Sequence, residues 1–159
     1  MIFLKFANEI KGGVEEAGHE GWINIDSIQF GVGRAVTSAG SGSDRETSNP
    51  SFSEVTFSRA TDKASPELFM QSIAGKSLGI ATVHLVQTGG VDKKQTYLTF
   101  EFDEAIVTSY STSSGGDRPS ESFAINFTKV TMQYDTFAKG GTVTKGNPQK
   151  WDLIKGAKY

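Results

Sequence analysis

Apolar and polar residues alternate along most of this chain, and that period of two limits the fold more than any other feature. Ile2, Leu4 and Phe6 lie on one side of an extended segment, with Lys5 on the other side. Such alternation is typical of a half-buried strand, because successive side chains of a strand point to opposite faces. The pattern predicts strands over residues 2–8, 22–32, 52–60, 80–87, 96–112, 121–137 and 150–154. We therefore expect a mainly β protein.

One segment carries a strong helix signal instead. Ser65 is a candidate N-cap, and Pro66 occupies the first helical position, where its missing N–H costs nothing. Gly75 is placed to end the helix in a left-handed conformation. The predicted inner face consists of Leu68, Phe69, Ser72 and Ile73. We expect one short α-helix over about residues 65–74.

Composition narrows the class of protein further. Gly, Ser and Thr fill 50 of the 159 positions, a balance that favours short strands and turns in one domain spanning 1–159. A net charge of −2 offers no basic field for a nucleic acid. No run of apolar residues is long enough for membrane insertion. The first residues lack the basic and apolar regions of a secretory signal, so we expect synthesis in the cytoplasm.

Candidates for catalysis are few. His19 and His84 are the side chains that could act as bases near neutral pH, and neither lies in a recognisable acid–base motif. Cysteine is absent, so neither a thiolate metal site nor a Cys nucleophile is available. We expect structural roles for both histidines, and no catalytic residue, metal or cofactor.

Two features suggest irregular backbone. The apolar residues switch from odd positions at Phe123 and Ile125 to even positions at Val130 and Met132, which predicts a β-bulge near Thr128. Residues 9–21 are rich in Gly and Glu, which favours a solvated turn.

A long polar loop covers residues 33–51, where nineteen residues offer almost nothing to bury and no helical period. Loops of this length in a compact domain usually have a function. We consider two alternatives: a mobile surface excursion, or an ordered arm that finds its partner in another subunit.

Several motifs together resemble one known family. They occur in the family's order along nearly the whole chain: the Gly21-Trp22 strand opening, residues 62–68 (DKASPEL), Gly75-Lys76 after the helix, residues 105–111 (AIVTSYS), residues 119–123 (PSESF) and residues 150–153 (KWDL). They are similar to the Hcp family, the haemolysin-coregulated proteins of type VI secretion. The stretch D-K-A-S-P-x-L at residues 62–68 is the most specific of these motifs.

The resemblance implies a compact β-barrel of two packed, mostly antiparallel sheets with one helix. It also implies hexameric rings that stack into a tube inside a contractile sheath, with a spike and baseplate at the end and effector proteins as cargo. Such a protein is cytoplasmic before firing and is then secreted without a cleaved signal peptide. The loop over 33–51 corresponds to an extended loop that reaches an adjacent subunit or ring. Its candidate contact residues are Arg34, Thr37, Ser41, Asp44, Arg45 and Glu46.

A lumen-facing surface follows from the strand at 22–32. If Ile28 and Phe30 face the core, Ser27 and Gln29 face away and are candidates to line the lumen of a ring. Ring closure would also cover the strand edges that a small β domain leaves open.

Two alternative functions remain open from the sequence. A monomeric β-sandwich could bind carbohydrate through an aromatic platform of Trp22, Tyr97 and Tyr110. A phage-like tail-tube protein would share the tube mechanism but serve a different machine.

Overall fold

The computed structural model of the protein describes residues 1–8, 10–38, 45–89 and 93–159. Sixteen strands and one helix are present in these ranges. The strands are β1 (Ile2–Phe6), β2 (Ile23–Ile25), β3 (Ser27–Gln29), β4 (Val32–Gly33), β5 (Val36–Ser38), β6 (Arg45–Thr47), β7 (Ser51–Phe52), β8 (Val55–Ala60), β9 (Ala81–Gly89), β10 (Lys93–Asp103), β11 (Ile106–Ser113), β12 (Ser120–Asn126), β13 (Lys129–Tyr134), β14 (Thr136–Phe137), β15 (Val143–Thr144) and β16 (Gln149–Asp152). The helix is α1 (Ser65–Ala74).

Two antiparallel sheets form the body of the molecule. One has six strands in the order β16-β13-β10-β9-β1-β2, and the other has four in the order β11-β12-β8-β3. Apolar side chains from both sheets, such as Leu4, Val83, Phe57 and Phe123, pack between them as the core. The mainly β prediction is confirmed, but the expected barrel is not closed. The described strands leave each sheet with two edges, so the architecture is a two-layer sandwich.

The chain crosses between the sheets where the sequence predicted continuous strands. The predicted strand 22–32 is divided at Asp26, with β2 in the six-stranded sheet and β3 in the four-stranded one. The predicted strand 96–112 is divided at Glu104, which has a φ of 52° and forms the bend between β10 and β11. Because the core lies between the sheets, a strand that crosses over must bury the opposite set of its residues.

The same geometry corrects the predicted bulge near Thr128. Thr128 lies between β12 and β13, which belong to different sheets, so the switch of apolar parity marks a crossing rather than an extra residue. Register shifts occur instead within two strand pairs, at Tyr97 in β10 and at Thr108 in β11.

The helix has the predicted bounds but a different N-terminus. Gly75 adopts a φ of 63° and donates its N–H to the carbonyl of Gln71 at 3.0 Å, as expected of a left-handed C-cap. Ala64, not Ser65, is the N-cap. The hydroxyl of Ser65 turns inward, where it accepts from the N–H of Asp62 at 3.0 Å and donates to Glu121 at 2.9 Å.

A buried ion pair connects this helix to the four-stranded sheet. Arg59 is 2% exposed and Glu121 is 3% exposed, and their side chains form a direct ion pair. Arg59 also contacts Asp62 at 2.5 Å and donates from Nε to the carbonyl of Asn24 at 3.1 Å. Burial raises the pKa of Asp62, but the hydrogen bonds from Arg59 and from the N–H of Ala64, together with the positive charges of Arg59 and Lys63, outweigh burial and lower the pKa below its usual value. The guanidinium is therefore neutralised and hydrogen bonded where water has no access.

Residues 10–22 contain no strand or helix and seven of them are exposed, in agreement with the solvated turn predicted over 9–21, but three residues are buried against the body: Ile10, Gly12 and His19. Ile10 lies in the core and His19 is only 8% exposed. A Cβ at Gly12 would approach the carbonyl oxygen of Trp22 to 2.0 Å, which explains why glycine occupies that position. Composition indicated exposure here, but a few apolar and ring contacts are enough to dock the segment.

We expect Glu121→Gln to lower the free energy of unfolding by about 3 kcal/mol, because breaking a buried ion pair costs about 3–5 kcal/mol and Asp62 still neutralises part of the charge on Arg59. Urea denaturation followed by circular dichroism measures the change. Ser122→Ala, at the next position of β12 but facing outward, is the matched control and should change stability by less than about 0.5 kcal/mol. Equal effects of the two substitutions would contradict a central role for the ion pair.

Candidate functional site

Small hydroxyl side chains fill eight of eleven positions on the outer face of the four-stranded sheet. We call this surface the hydroxyl face, and the strand registers place its residues in three rows. The rows are Ser27, Ser58, Ser122 and Ser111; then Gln29, Thr56, Ala124 and Ser109; then Ala60, Ser120 and Ser113. The charged residues of these four strands are Arg59 and Glu121, and both point inward. The hydroxyl face is therefore polar and carries no charge.

The two residues proposed to line a lumen lie in this surface. Ser27 and Gln29 are exposed, while Ile28 between them packs against the core, so their predicted outward orientation is confirmed. The hydroxyls of Ser27 and Ser58 form a hydrogen bond across β3 and β8. That these residues face a lumen stays a prediction.

The long loop forms a two-stranded ribbon, which we call the arm. Strand β4 pairs with β7 at its base, and β5 pairs with β6 further out. The N–H of Ala35 donates to the hydroxyl of Ser48 at 2.9 Å between these two pairs. The described part of the loop is thus paired with its own second half, an arrangement that neither of the two alternatives included.

The candidate contact residues of the arm have different positions. Arg34 and Arg45 are exposed, and Thr37 stands opposite Glu46 in the ribbon. Ser41 and Asp44 lie outside the described residues. Contact of the arm with another subunit stays a prediction.

A second surface was missed by the sequence analysis. Phe69, Met70 and Ile73 of α1 are 50%, 52% and 65% exposed, whereas Leu68 and Gln71 face the body. The predicted inner face was therefore wrong for Phe69 and Ile73. The signal was present in the sequence, because apolar residues surround more of this helix than one buried face needs. A cluster of exposed apolar side chains marks an interaction surface.

Tyr110 connects this helix surface to the buried ion pair. Its ring lies 5.9 Å from that of Phe69, and its hydroxyl donates to Glu121 at 2.5 Å. Burial and the hydrogen bond to Glu121 raise the pKa of Tyr110 to about 12, so the hydroxyl keeps its proton over the whole physiological range.

The three aromatic residues of the carbohydrate-binding alternative do not share a platform. Trp22 packs against His84 at 4.6 Å, Tyr97 against Tyr134 at 6.0 Å, and Tyr110 against α1 on the other sheet. Each ring is thus engaged in a separate contact of the fold.

The structure brings the two histidines together although they lie 65 residues apart. Nε2 of His19 and Nδ1 of His84 are 2.9 Å apart. Within the described ranges, no group of three or more His, Cys, Asp or Glu side chains is placed to hold a metal ion. Among the same residues, no helix has the length and apolar character needed to span a membrane.

Comparison with known proteins identifies relatives of this chain. The family model for "Type VI secretion system effector, Hcp" matches residues 3–134. Protein hcp1 of Pseudomonas aeruginosa is 31% identical over 100 residues, a match that covers 62% of this chain and 60% of that protein's length.

Solved structures share the fold over nearly the whole chain. A type six secretion system protein superposes with a TM-score of 0.90 at 23% identity, covering 99% of this chain and 98% of the other. Hcp1 from Salmonella typhimurium superposes with a TM-score of 0.77 at 23% identity, covering 99% of this chain and 97% of the other. A type VI secretion system effector from Yersinia pestis superposes with a TM-score of 0.72 at 25% identity, covering 96% of this chain and 99% of the other. The match to the family model over most of its length shows that the chain belongs to the Hcp family, whose members are secreted structural proteins of type VI secretion.

Proposed function

We propose that six copies of this protein close into a ring, and that the rings stack into the inner tube of the secretion machine. The observation that carries the proposal is the hydroxyl face, a sheet surface of eleven positions without one charged side chain. Ordinary solvent-facing sheets carry Lys and Glu, whereas a conduit benefits from a lining that binds no charge strongly. The hydroxyl face is the proposed wall of the lumen.

The edges of the four-stranded sheet support ring closure. Among the described strands, β3 pairs only with β8 and β11 only with β12, so each has one unpaired side. In a ring, the β3 edge of one copy faces the β11 edge of the next copy. Such a heterologous contact between different surfaces of identical chains closes when the rotation returns to the start. It would also cover edges that otherwise invite aggregation.

The dimensions of such a ring suit a protein conduit. Six four-stranded sheets place about 24 strands around the axis, and a spacing of about 4.8 Å per strand gives a circumference of about 115 Å. The corresponding backbone diameter is about 37 Å for strands that run along the axis. Side chains as short as serine keep most of this width open for an effector polypeptide.

The other surfaces have roles in the same assembly. The arm, with Arg34, Thr37 and Arg45 among its residues, is proposed to contact an adjacent subunit or ring. A sheath surrounds the tube, a spike and baseplate end it, and effector proteins lie in its lumen. The protein would be cytoplasmic before firing and then be expelled with its cargo.

The molar mass of the purified protein tests the ring. Six chains of 17.1 kDa give about 103 kDa, and we expect light scattering after size-exclusion chromatography to find that mass. A mass near 17.1 kDa at every concentration would contradict spontaneous ring formation. Binding to a glycan array by such a monomer would support the carbohydrate-binding alternative.

Gln29→Arg tests the lining. We expect the ring to keep its mass but to retain less of the effector that co-purifies with the wild-type protein, because six arginines would charge the lumen. Gln87→Arg, which places the same charge on an exposed position of the six-stranded sheet, is the matched control and should leave retention unchanged. Equal retention by both variants and the wild type would count against a lumen at the hydroxyl face.

Shortening residues 38–48 tests the arm. We expect the shortened protein to fold and to close into rings, because the arm buries little apolar surface, but to form fewer and shorter tubes in negative-stain images. Light scattering of the same sample separates loss of ring closure from loss of stacking. Tubes of normal length would show that the arm does not hold rings together.

A further inference from the structure

His19 and His84 form a hydrogen-bonded pair between residues 10–22 and strand β9. The distance from His19 Nε2 to His84 Nδ1 is 2.9 Å, and His19 is 8% exposed. Aromatic rings enclose the pair: Phe3 lies 4.7 Å from the ring of His19, and Trp22 lies 4.8 Å from His19 and 4.6 Å from His84. Side-chain contacts therefore dock this segment onto the outer face of the six-stranded sheet.

The second ring nitrogen of His19 selects one tautomer of the pair. His19 Nδ1 is buried and has no hydrogen-bond partner. A proton there would be a buried donor without an acceptor, which costs about 1–3 kcal/mol. The neutral pair therefore places the proton of His19 on Nε2, which donates to Nδ1 of His84. His84 then carries its own proton on Nε2.

A second proton on either histidine destabilises the pair. Protonation of His84 at Nδ1 turns the acceptor into a donor that faces the donor of His19. Protonation of His19 at Nδ1 creates the buried donor without an acceptor. We propose that the His19–His84 hydrogen bond is an acid-sensitive latch, which holds residues 10–22 on the six-stranded sheet when neutral and releases them when either ring is protonated.

The segment held by the latch has few other ties to the sheet. Its backbone bonds close it on itself, with the N–H of Gly12 donating to the carbonyl of Gly21 and that of Val14 to the carbonyl of Trp22. Ile10 anchors one end in the core, and Glu16 forms an ion pair with Lys94 of β10.

Release of the segment would change a surface of the molecule as well as its stability. Residues 13–17 form part of a groove of about 1310 Å³, which they share with Met1, Asp62, Lys63 and Arg118 among others. Opening the latch frees this wall of the groove. Opening of the latch involves one chain only and does not depend on ring formation.

Charged groups lie near the pair on the segment itself and on β1 and β10. Glu16 and Glu20 of the segment favour a protonated His19, but burial outweighs them and lowers its pKa. Lys5 of β1 lies over the ring of Trp22, and together with Glu101 of β10 it lines the cavity beside His84. Lys94 of β10 is engaged with Glu16.

The sign of the pH dependence follows from the direction of the shifts. Burial, followed by the charge of His19, lowers the pKa of His84 from 6.5 to about 4. A group whose pKa is lowered in the folded state stabilises that state above its unfolded pKa and loses this contribution as pH falls. The latch is thus closed at full strength above about pH 6.5 and weakens down to about pH 4. At pH 5 the open population should be ~30-fold higher than at pH 7.5.

Hydrogen exchange of the full-length protein, measured by mass spectrometry at pH 7.5 and pH 5.0, tests the latch. A short loop released from the sheet is too small to keep its own backbone hydrogen bonds in water, so its amides exchange once it is undocked. After correction for the intrinsic exchange rates, we expect ~30-fold faster exchange in peptides from residues 10–22 at pH 5.0. Peptides from β12 should show no change, since the core remains folded. Equal corrected rates for residues 10–22 at the two pH values would overturn the proposal.

A latch that cannot titrate provides the matched control. In His19→Gln/His84→Asn, the glutamine amide replaces the Nε2 donor and the asparagine carbonyl replaces the Nδ1 acceptor. We expect exchange of residues 10–22 in this variant to be the same at both pH values. An acid response as large as that of the wild type would assign the opening to other groups and refute the latch. If circular dichroism shows that the variant does not fold, the imidazole NMR titration of the wild type decides: a folded pKa near 6.5 for both rings would refute it.

Discussion

The buried ion pair of Arg59 and Glu121 determines both where the helix attaches and which side chains the four-stranded sheet exposes. The two residues are the charged side chains of the four-stranded sheet, and they meet inside it. Their pairing attaches α1 through Ser65 and Asp62, and it also removes charge from the outer face of the same strands. Successive side chains of a strand point to opposite faces of the sheet. Since Arg59 and Glu121 point inward, their neighbours on the same strands, which are serine and alanine, point outward.

The sandwich arrangement explains where the functional surfaces lie. The core requires each sheet to bury one face, which leaves the hydroxyl face exposed on one layer and the His19–His84 pair on the other. The crossing at Asp26 places β3 at the edge of the four-stranded sheet, and the arm begins directly after it. The free edge of β3 and the arm are thus adjacent, so both can contact the same neighbouring copy.

Local patterns predicted the elements well because burial and backbone geometry are local properties. The helix over 65–74 followed from Pro66 and Gly75, and the outward direction of Ser27 and Gln29 followed from alternation. A change of parity, by contrast, does not distinguish a bulge from a crossing between sheets, which is why the interpretation at Thr128 was wrong. The contact of His19 with His84 depends on tertiary packing, which no local pattern encodes. Arg59 shares the buried side of β8 with Val55 and Phe57, but nothing in the sequence selected Glu121 among the acidic residues as its partner.

The two layers therefore differ in how they respond to pH. The residues of the hydroxyl face have no group that titrates near neutral pH, so the proposed lining keeps its character when the medium changes. The outer side of the six-stranded sheet holds both histidines and the charged residues around them. Acidification acts on that layer through the two histidines, which lose their hydrogen bond when either ring takes up a proton. A chain built in this way can loosen one face while the surface proposed to meet cargo stays the same.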